Sequence, residues 1–225
     1  MSLDPDSEVQ GILDEADAYF QRNDAEMTST LAGDPLRSAI QQIHVSSPIR
    51  ALLEIGALDG RRLSRVRDEF RCEVTGLEAS PEAVRQGANR FPHVSLVQGV
   101  APMGLNLWLG QKKFDVIVLG FFLYILPRQL LFQLASAVDQ LLEDGGHIVL
   151  YDFISVNPRT IPYKHSPGLQ TFKMDYACAW TWNPQYVLLN RLVIDHGGNG
   201  QLPLDQDSWV TIDTIRKLQP GEAYC

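Results

Sequence analysis

The sequence predicts a single domain of the α/β class, a three-layer fold with a mostly parallel sheet that ends in an antiparallel hairpin. Three observations predict it. Short apolar runs alternate with helical segments from about residue 50 to residue 153. Two long strand-like segments with no helix between them follow near the carboxyl end. The 225 residues suffice for one full core and are too few for two α/β domains.

The first 45 residues predict two helices that precede the sheet and form a cap over it. In the first helix, apolar residues recur at three- and four-residue steps: Val9, Ile12, Leu13, Ala16 and Phe20. Asp34 and Pro35 provide an N-cap and a first-turn proline for the second helix. Residues 19–22 either close over a ligand, with Arg22 meeting a carboxylate, or form a solvated helix end.

The middle of the chain alternates strands with helices. The predicted strands cover residues 50–56, 72–78, 94–98, 114–119 and 147–153, and the predicted helices cover 61–70, 80–90 and 127–142. Their continuous apolar runs indicate parallel strands covered on both faces. Residues 186–195 and 209–217 then predict two antiparallel strands, joined by a turn at 196–200.

Composition excludes several classes of protein. The formal net charge of −8 argues against a nucleic-acid-binding protein, which usually carries a basic patch. Three widely spaced cysteines (Cys72, Cys178 and Cys225) indicate neither a disulfide framework nor a metal site. The acidic amino-terminal segment lacks an apolar run, and no segment is long enough to span a membrane. We therefore expect a cytoplasmic, soluble protein with reduced thiols.

The loop after the first strand carries the first candidate chemistry. Gly56 and Gly60 permit a tight turn and a close approach to a ligand, and the following helix offers free N–H groups to a carboxylate. A nicotinamide-binding loop would read G-x-G-x-x-G, and at the middle glycine position this chain has Leu58. By itself the G-x-x-x-G spacing fits an ordinary strand-to-helix turn equally well.

Two further loops lie at the ends of neighbouring strands. Glu78 ends the second strand, where an acid can accept both hydroxyls of a ribose or can cap the helix that begins at Ser80. After the third strand, residues 98–101 have Val100 where an aspartate would often hold an adenine amino group. Together with the glycine loop, these positions favour a nucleoside ligand.

This combination resembles the class I S-adenosylmethionine-dependent methyltransferases over roughly residues 50–217. The similarity lies in Glu54-Ile-Gly-x-x-x-Gly60, Val74-Thr-Gly-Leu-Glu78-Ala-Ser80, Phe114-Asp-Val-Ile-Val-Leu-Gly120 and Leu142-Glu-Asp-Gly-Gly146. The resemblance implies a Rossmann-like sheet of seven strands in the order 3-2-1-4-5-7-6. It also implies S-adenosyl-L-methionine as cofactor, with S-adenosyl-L-homocysteine as product.

The resemblance assigns roles along the chain. Residues 1–45 form the helical cap, 50–153 the donor-binding core, 154–185 an acceptor-side insertion and 186–217 the terminal hairpin. The implied cofactor-binding residues lie at four strand ends: Glu54, Gly56, Ala57, Gly60, Glu78, Ala79, Ser80, Gly99, Val100, Ala101, Gly120 and Phe121.

The segment after the fifth strand is similar to a subgroup of small bacterial methyltransferases that act on small molecules. The similar stretches are Tyr151-Asp152-Phe153, Pro162 to His165, Phe172 to Tyr176 and Trp182 to Tyr186. The insertion is too long for a simple connection, so we expect it to form the acceptor wall. The candidate substrate-binding residues are Tyr124, Lys173, Tyr176 and Trp182.

Three residues are candidates for catalysis. His165 is a candidate general base because its ordinary pKa lies near neutrality, although a surface histidine would look the same. Asp152 is a second candidate base, or a cap for the loop after its strand. Tyr163 is the third, or a wall residue. No metal-ligand spacing is present in the sequence.

The sequence therefore predicts methyl transfer to a small-molecule acceptor, such as a sugar or a natural-product intermediate, and slightly favours an oxygen acceptor. Two alternatives stay open. A nicotinamide-dependent oxidoreductase is one, but Leu58 and the absence of a Tyr-x-x-x-Lys pair oppose it. A non-catalytic homologue that binds the nucleoside is the other. The acceptor and the oligomeric state are not predicted.

Overall fold

The computed structural model describes residues 5–27, 34–166, 169–197 and 205–223. The predicted residues of the 196–200 turn that follow Gly197, and Cys225, lie outside these ranges. Within them the helices are α1 Pro5–Met27, α2 Pro35–Ser46, α3 Arg61–Phe70, α4 Pro81–Arg90, α5 Leu131–Leu141 and α6 Cys178–Thr181. The strands are β1 Ala51–Ile55, β2 Glu73–Glu78, β3 Ser95–Gln98, β4 Phe114–Gly120, β5 Leu142–Phe153, β6 Arg159–Pro162, β7 Gln170–Lys173, β8 Tyr186–Asp195 and β9 Trp209–Lys217.

Seven strands form one sheet in the order β3-β2-β1-β4-β5-β9-β8. Strands β1 to β5 are parallel to one another. Strand β9 pairs antiparallel with β5 and with β8. This is the predicted order 3-2-1-4-5-7-6, because β8 and β9 are the sixth and seventh strands of this sheet. The predicted α/β fold class is confirmed.

Local signals explain where the helices begin. The Asp34 side chain accepts a 3.0 Å hydrogen bond from Leu36 N, and Pro35 occupies the first turn of α2. Ser80 caps α4 in the same way, with Ala83 N donating to its Oγ at 3.0 Å. The long helix predicted for residues 127–142 is shorter in the structure, because Leu142 already has an extended backbone and pairs with Phe114 of β4.

Apolar side chains fill both faces of the sheet. On one face the buried residues of β4 and β5 pack against α5 and α6. On the other face the sheet packs against α2 and α3. The strands are therefore apolar on both sides, which explains their continuous hydrophobic sequence.

Strands β6 and β7 form a separate two-stranded sheet that the sequence does not predict. Each has four residues, and they pair only with each other. They lie inside the 154–185 insertion, and their connection carries Tyr163 and His165. The main-chain N–H of Phe172 donates to Tyr124 O at 2.7 Å, which holds this small sheet against the loop after β4. No helix in the described ranges is long and apolar enough to cross a bilayer.

Candidate functional site

The predicted donor-binding residues follow the carboxyl ends of β1, β2, β3 and β4. These four strands are parallel neighbours, so their carboxyl ends lie at one edge of the sheet. The structure therefore brings the twelve sequence-predicted positions to one edge: Glu54, Gly56, Ala57, Gly60, Glu78, Ala79, Ser80, Gly99, Val100, Ala101, Gly120 and Phe121. In open α/β sheets this edge is where ligands bind.

The loop after β1 packs directly against the end of β4. Gly56 has a φ of +81°, and a Cβ atom added there would lie 2.9 Å from Gly120 O. Gly60 also has a positive φ, of +76°. Leu58 takes the left-handed conformation with a φ of +50°, which is uncommon for a residue with a branched side chain. The loop thus has glycine-like geometry at position 58 without a glycine.

Glu54 lies in β1, just before this loop, and is buried. Its Oε1 accepts a hydrogen bond from Arg62, which also donates to Asp34 at 2.6 Å. Its Oε2 is buried and has no hydrogen-bond partner among the described residues. Burial raises the pKa of Glu54, while the positive charge of Arg62 opposes the shift. Buried acceptors without a donor are rare in native proteins, so this oxygen is available to a donor from outside the chain.

Glu78 is held by main-chain donors at the end of β2. Leu58 N donates to its Oε2 and Ser80 N to its Oε1, each at 2.8 Å. Burial raises the pKa of Glu78 to about 7, although these hydrogen bonds oppose the shift. Gly99 N donates to Glu78 O at 2.8 Å, so the loop after β3 lies beside this acid.

Helix α1 is anchored beside this edge at two points. The Ser80 hydroxyl caps α4 and donates to Asp17 of α1, so it is committed to protein contacts. Further along the edge, Glu15 accepts hydrogen bonds from Tyr163 at 2.7 Å and from Arg22 at 2.6 Å. The sequence does not predict these contacts of Asp17 and Glu15. The Arg22 guanidinium, which the sequence offers as a partner for a ligand carboxylate, is paired with Glu15.

An aromatic cluster surrounds the end of β4. Phe121, with a φ of +60°, lies at its centre. The centroid of its ring lies 5.0 Å from those of Tyr151 and Phe153, 5.3 Å from that of His196 and 5.5 Å from that of Tyr124. The His196 and Phe153 rings are stacked with centroids 5.1 Å apart. Non-glycine residues with positive φ are uncommon and cluster at functional sites.

The sequence does not identify Phe153 and His196 as site residues. His196 follows β8, whose last residue, Asp195, pairs with Trp209 at the start of β9. The next residue of β9, Val210, pairs with Phe153 at the carboxyl end of β5. The antiparallel return of the hairpin therefore places its turn at the ligand-binding edge. The one signal in the sequence is the length of β8 and β9, 10 and 9 residues, which lets the hairpin run along β5.

The three candidate catalytic residues occupy different environments. Asp152 is buried, and its two oxygens accept hydrogen bonds from Leu123 N and Phe153 N at 2.7 Å each. Burial raises the pKa of Asp152 to about 7. Asp152 therefore caps the loop after β4, and not the loop after its own strand as the sequence offers. Tyr163 joins the aromatic cluster through Tyr124, with ring centroids 6.0 Å apart.

His165 is exposed and lies outside the central cluster. Its ring contacts that of Tyr163, with centroids 5.4 Å apart. His196 contacts Phe121 directly. His165 is therefore separated from the end of β4 by the Tyr163 and Tyr124 rings, whereas His196 is adjacent to it.

The four candidate substrate-binding residues also separate. Tyr124 belongs to the cluster, and Lys173 Nζ lies 4.2 Å from the centroid of the Phe153 ring. Tyr176 is 1% exposed and its hydroxyl donates to Phe172 O, so it has no free face for a ligand. Trp182 is 73% exposed and lies just before β8, whose first residue is at the opposite edge of the sheet. Tyr176 and Trp182 are therefore corrected to a core residue and a surface residue.

No group of three potential metal ligands occurs in the described part of the chain. Residues 53–148, which run from β1 into β5, match the family model of a methyltransferase domain. This match covers less than half of the chain, and it identifies residues 53–148 as similar to a methyltransferase domain. No curated protein matches the chain in sequence.

Solved structures share the fold of this methyltransferase domain. The 1,6-didemethyltoxoflavin-N1-methyltransferase of Burkholderia thailandensis, with bound 1,6-didemethyltoxoflavin and S-adenosylhomocysteine, matches with a TM-score of 0.73 and 16% identity, over 97% of this chain and 92% of that one. The N-methyltransferase NodS of Bradyrhizobium japonicum, with S-adenosylhomocysteine, has a TM-score of 0.60 and 18% identity over 90% and 98%.

The glycopeptide N-methyltransferase MtfA, with S-adenosylmethionine, has a TM-score of 0.55 and 17% identity over 81% of this chain and 93% of that one. At these identities the similarity establishes the fold. The methyltransferase domain thus has the class I, Rossmann-like fold that the sequence predicts.

Proposed function

We propose that the chain transfers a methyl group from S-adenosylmethionine to a nitrogen atom of a flat, conjugated small molecule. The observation that carries the proposal is the aromatic cluster around Phe121 at the carboxyl end of β4, directly beside the glycine loop. Aromatic side chains in a cleft bind planar ligands through offset or edge contacts.

The residues after β1 and β2 fit the donor. The unpaired Oε2 of Glu54 suits an amino group of the donor. Gly56 packs closely on Gly120 and has no side chain that would take up the place of the donor. Glu78 suits the two ribose hydroxyls, as it does in the class I fold. When bound, S-adenosylmethionine supplies a methyl group on a positively charged sulfur.

The acceptor side contributes alignment and exclusion of water. Phe121, Tyr151 and Phe153 form an apolar surface on which a flat ring can lie beside the donor loop. Correct alignment of the two reactants is the main requirement of an in-line transfer. We assign residues 154–185 to the acceptor side, because they supply Tyr163 and Lys173 to this region.

Nitrogen is proposed rather than oxygen because the acid next to the cluster is engaged by the main chain. Asp152, between Tyr151 and Phe153, accepts hydrogen bonds from Leu123 N and Phe153 N. Burial raises the pKa of Tyr163 to about 12, so its hydroxyl stays protonated at neutral pH. A hydroxyl acceptor needs a base, whereas a nitrogen lone pair needs little help. The three relatives named above are N-methyltransferases by name.

Calorimetry with the full chain tests the donor. S-adenosylhomocysteine should bind, and Glu78→Ala should weaken its binding at least about tenfold, since each ribose hydroxyl loses a charged acceptor. Glu82→Ala, the same change on the solvated side of α4, should leave the affinity unchanged. Failure of S-adenosylmethionine and S-adenosylhomocysteine to bind at high micromolar concentration would contradict the proposal, and binding of NAD instead would indicate an oxidoreductase.

Methyl transfer tests the acceptor. The wild-type chain is incubated with S-adenosylmethionine and 1,6-didemethyltoxoflavin, other flat nitrogen heterocycles, catechols or simple sugars, and products are detected by mass spectrometry. The proposal requires a methylated nitrogen heterocycle. Methylation of sugars or hydroxyls alone would overturn the choice of acceptor, and donor binding without any turnover across this panel would favour a non-catalytic homologue.

A further inference from the structure

Lys173 is a buried cation at the end of the aromatic cluster. It is 8% exposed, and its Nζ lies 4.2 Å from the centroid of the Phe153 ring. One of its three N–H groups donates to the main-chain oxygen of Asp207. Placement over an aromatic ring stabilises an ammonium only in part.

The charge of Lys173 is poorly balanced by the protein. Its ion pair with Asp207 Oδ1 is long, at 3.9 Å, and the same carboxylate oxygen lies 2.9 Å from Arg159 Nη2. Arg159 and Lys164 add positive charge nearby, whereas Asp205 and Asp207 oppose it. Burial lowers the pKa of Lys173. A buried charge with spare donors is costly unless a counter-charge approaches it.

His196 lies beside Lys173 at the same ring. Its imidazole stacks on Phe153, and its main-chain N–H donates to Ser208 O at 2.8 Å. Burial lowers the pKa of His196, Lys173 lowers it further, and Asp195 opposes both. The imidazole is therefore neutral at pH 7 and adds no second positive charge. Lys173 is therefore the cation in direct contact with the Phe153 ring, on which the neutral imidazole stacks.

We propose that Lys173 binds a negatively charged oxygen of the methyl acceptor, a carboxylate or an ionised ring oxygen, while Phe153 and His196 hold the adjoining ring. This proposal rests on the proposed function and deepens it, because it makes the acceptor an acidic aromatic molecule. Lys173 contributes to the choice of acceptor, and the donor loop is unaffected by it.

The test compares two flat probes that differ in charge. The full chain is saturated with S-adenosylhomocysteine and titrated with 2-naphthoate and with its neutral analogue 2-naphthamide, and binding is followed by ligand-observed NMR. The wild type should prefer 2-naphthoate by about tenfold or more, as expected for a hydrogen bond between charged groups. Lys173→Met should remove the preference while it leaves S-adenosylhomocysteine binding intact.

A matched lysine provides the control. Lys112 Nζ also lies over a phenylalanine, 5.0 Å from the centroid of Phe114, and pairs with Glu73 at the amino-terminal end of β2, away from the candidate site. Lys112→Met should therefore keep the wild-type preference. Equal affinity for the two probes, no binding of either, or a preference that survives in Lys173→Met would each overturn the inference. Loss of S-adenosylhomocysteine binding in the wild type would instead contradict the proposed function.

Discussion

The Tyr163 hydroxyl donates a 2.7 Å hydrogen bond to Glu15 Oε1 and so joins the acceptor side of the site to the first helix. Glu15 is 3% exposed, and the bond spans 148 positions of sequence. Helix α1 is held at its other anchor by Asp17, beside Glu78 and Ser80. A single helix thus contacts both Ser80, after β2, and Tyr163, after β6.

Replacement of Tyr163 by phenylalanine should loosen this contact. The change removes the hydroxyl and keeps the ring, so we expect the free energy of unfolding to fall by about 1–2 kcal/mol. We also expect bound S-adenosylhomocysteine to dissociate faster, because α1 covers its site less firmly. Urea denaturation and stopped-flow fluorescence measure the two effects.

The control for Tyr163→Phe is Tyr186→Phe. The Tyr186 hydroxyl donates to Asp139 at 2.5 Å, a comparable bond at the opposite edge of the sheet. Its loss should reduce stability similarly and leave the dissociation rate unchanged. If both variants release the ligand at the same rate, α1 has no part in retaining it.

Gly56→Ala should abolish donor binding. Its φ of +81° disfavours any residue with a Cβ, and that atom would lie 2.9 Å from Gly120 O, so the loop or the end of β4 must move. Gly110→Ala is the matched change, because Gly110 has a φ of +73° and nothing lies within 4 Å of its added Cβ. Each should lose about 1–2 kcal/mol of stability through the left-handed backbone.

Calorimetry separates the two glycine variants. Only Gly56→Ala should lose S-adenosylhomocysteine binding by more than about tenfold, which corresponds to about 1.4 kcal/mol. Equal affinities in Gly56→Ala and the wild type would show that the close approach of the loop to β4 is unimportant for the ligand.

The affinity for S-adenosylhomocysteine should depend on pH through Glu78. The pKa of this buried carboxyl is about 7, and the ionised form is the one that accepts two hydroxyl donors. As pH falls below 7 a proton competes with the ribose, so the Kd should rise by up to about tenfold per pH unit. Calorimetry between pH 5.5 and pH 8.5 should show this slope, and Glu78→Gln should bind weakly with a flatter profile. A wild-type profile parallel to that of the variant would exclude Glu78 as the source.

Asp152→Asn should alter stability in a pH-dependent way. The folded-state pKa of about 7 lies above the ordinary aspartate value of about 3.9. The folded protein therefore binds this proton more tightly than the unfolded chain. Its contribution to stability is complete below about pH 4, declines as pH rises and is lost by about pH 7.

The measurement is urea unfolding of both proteins at pH 5 and pH 8. The wild type should exceed Asp152→Asn in stability by more at pH 5 than at pH 8. Glu78 is present in both proteins, so its own titration cancels in the difference. A stability difference that does not change with pH would rule out the ionisation of Asp152 as its cause.

The sequence predicts the main sheet well because its signals are local and long. The bounds predicted for β8 and β9 match the structure, since each strand has nine or ten residues and a turn lies between them. Strands β6 and β7 are missed because each has only four residues, and the buried positions of β7 are polar, Thr171 and Lys173. The two strands pair with each other, and neither contains an apolar run that would identify it as a strand.

The donor side of the site is also predictable, because each of its residues follows a strand that the sequence reveals. Leu58 shows the limit of prediction from the sequence. A leucine at this position argues against a glycine-like conformation, whereas its φ of +50° is one that glycine commonly adopts. The acceptor side depends on contacts between distant segments. Glu15 meets Tyr163, and His196 meets Phe121, only after the chain has folded. No local pattern identifies such pairs.

The small β6–β7 sheet and the turn after β8 supply Tyr163, Lys173 and His196, whereas the donor loops belong to the central sheet. Mutations in these peripheral segments can accumulate without disturbing the packing beneath the glycine loop. During divergence, a lineage with this architecture can therefore acquire new acceptors by altering positions in these peripheral segments. The same segments are the natural targets for laboratory evolution of a changed product.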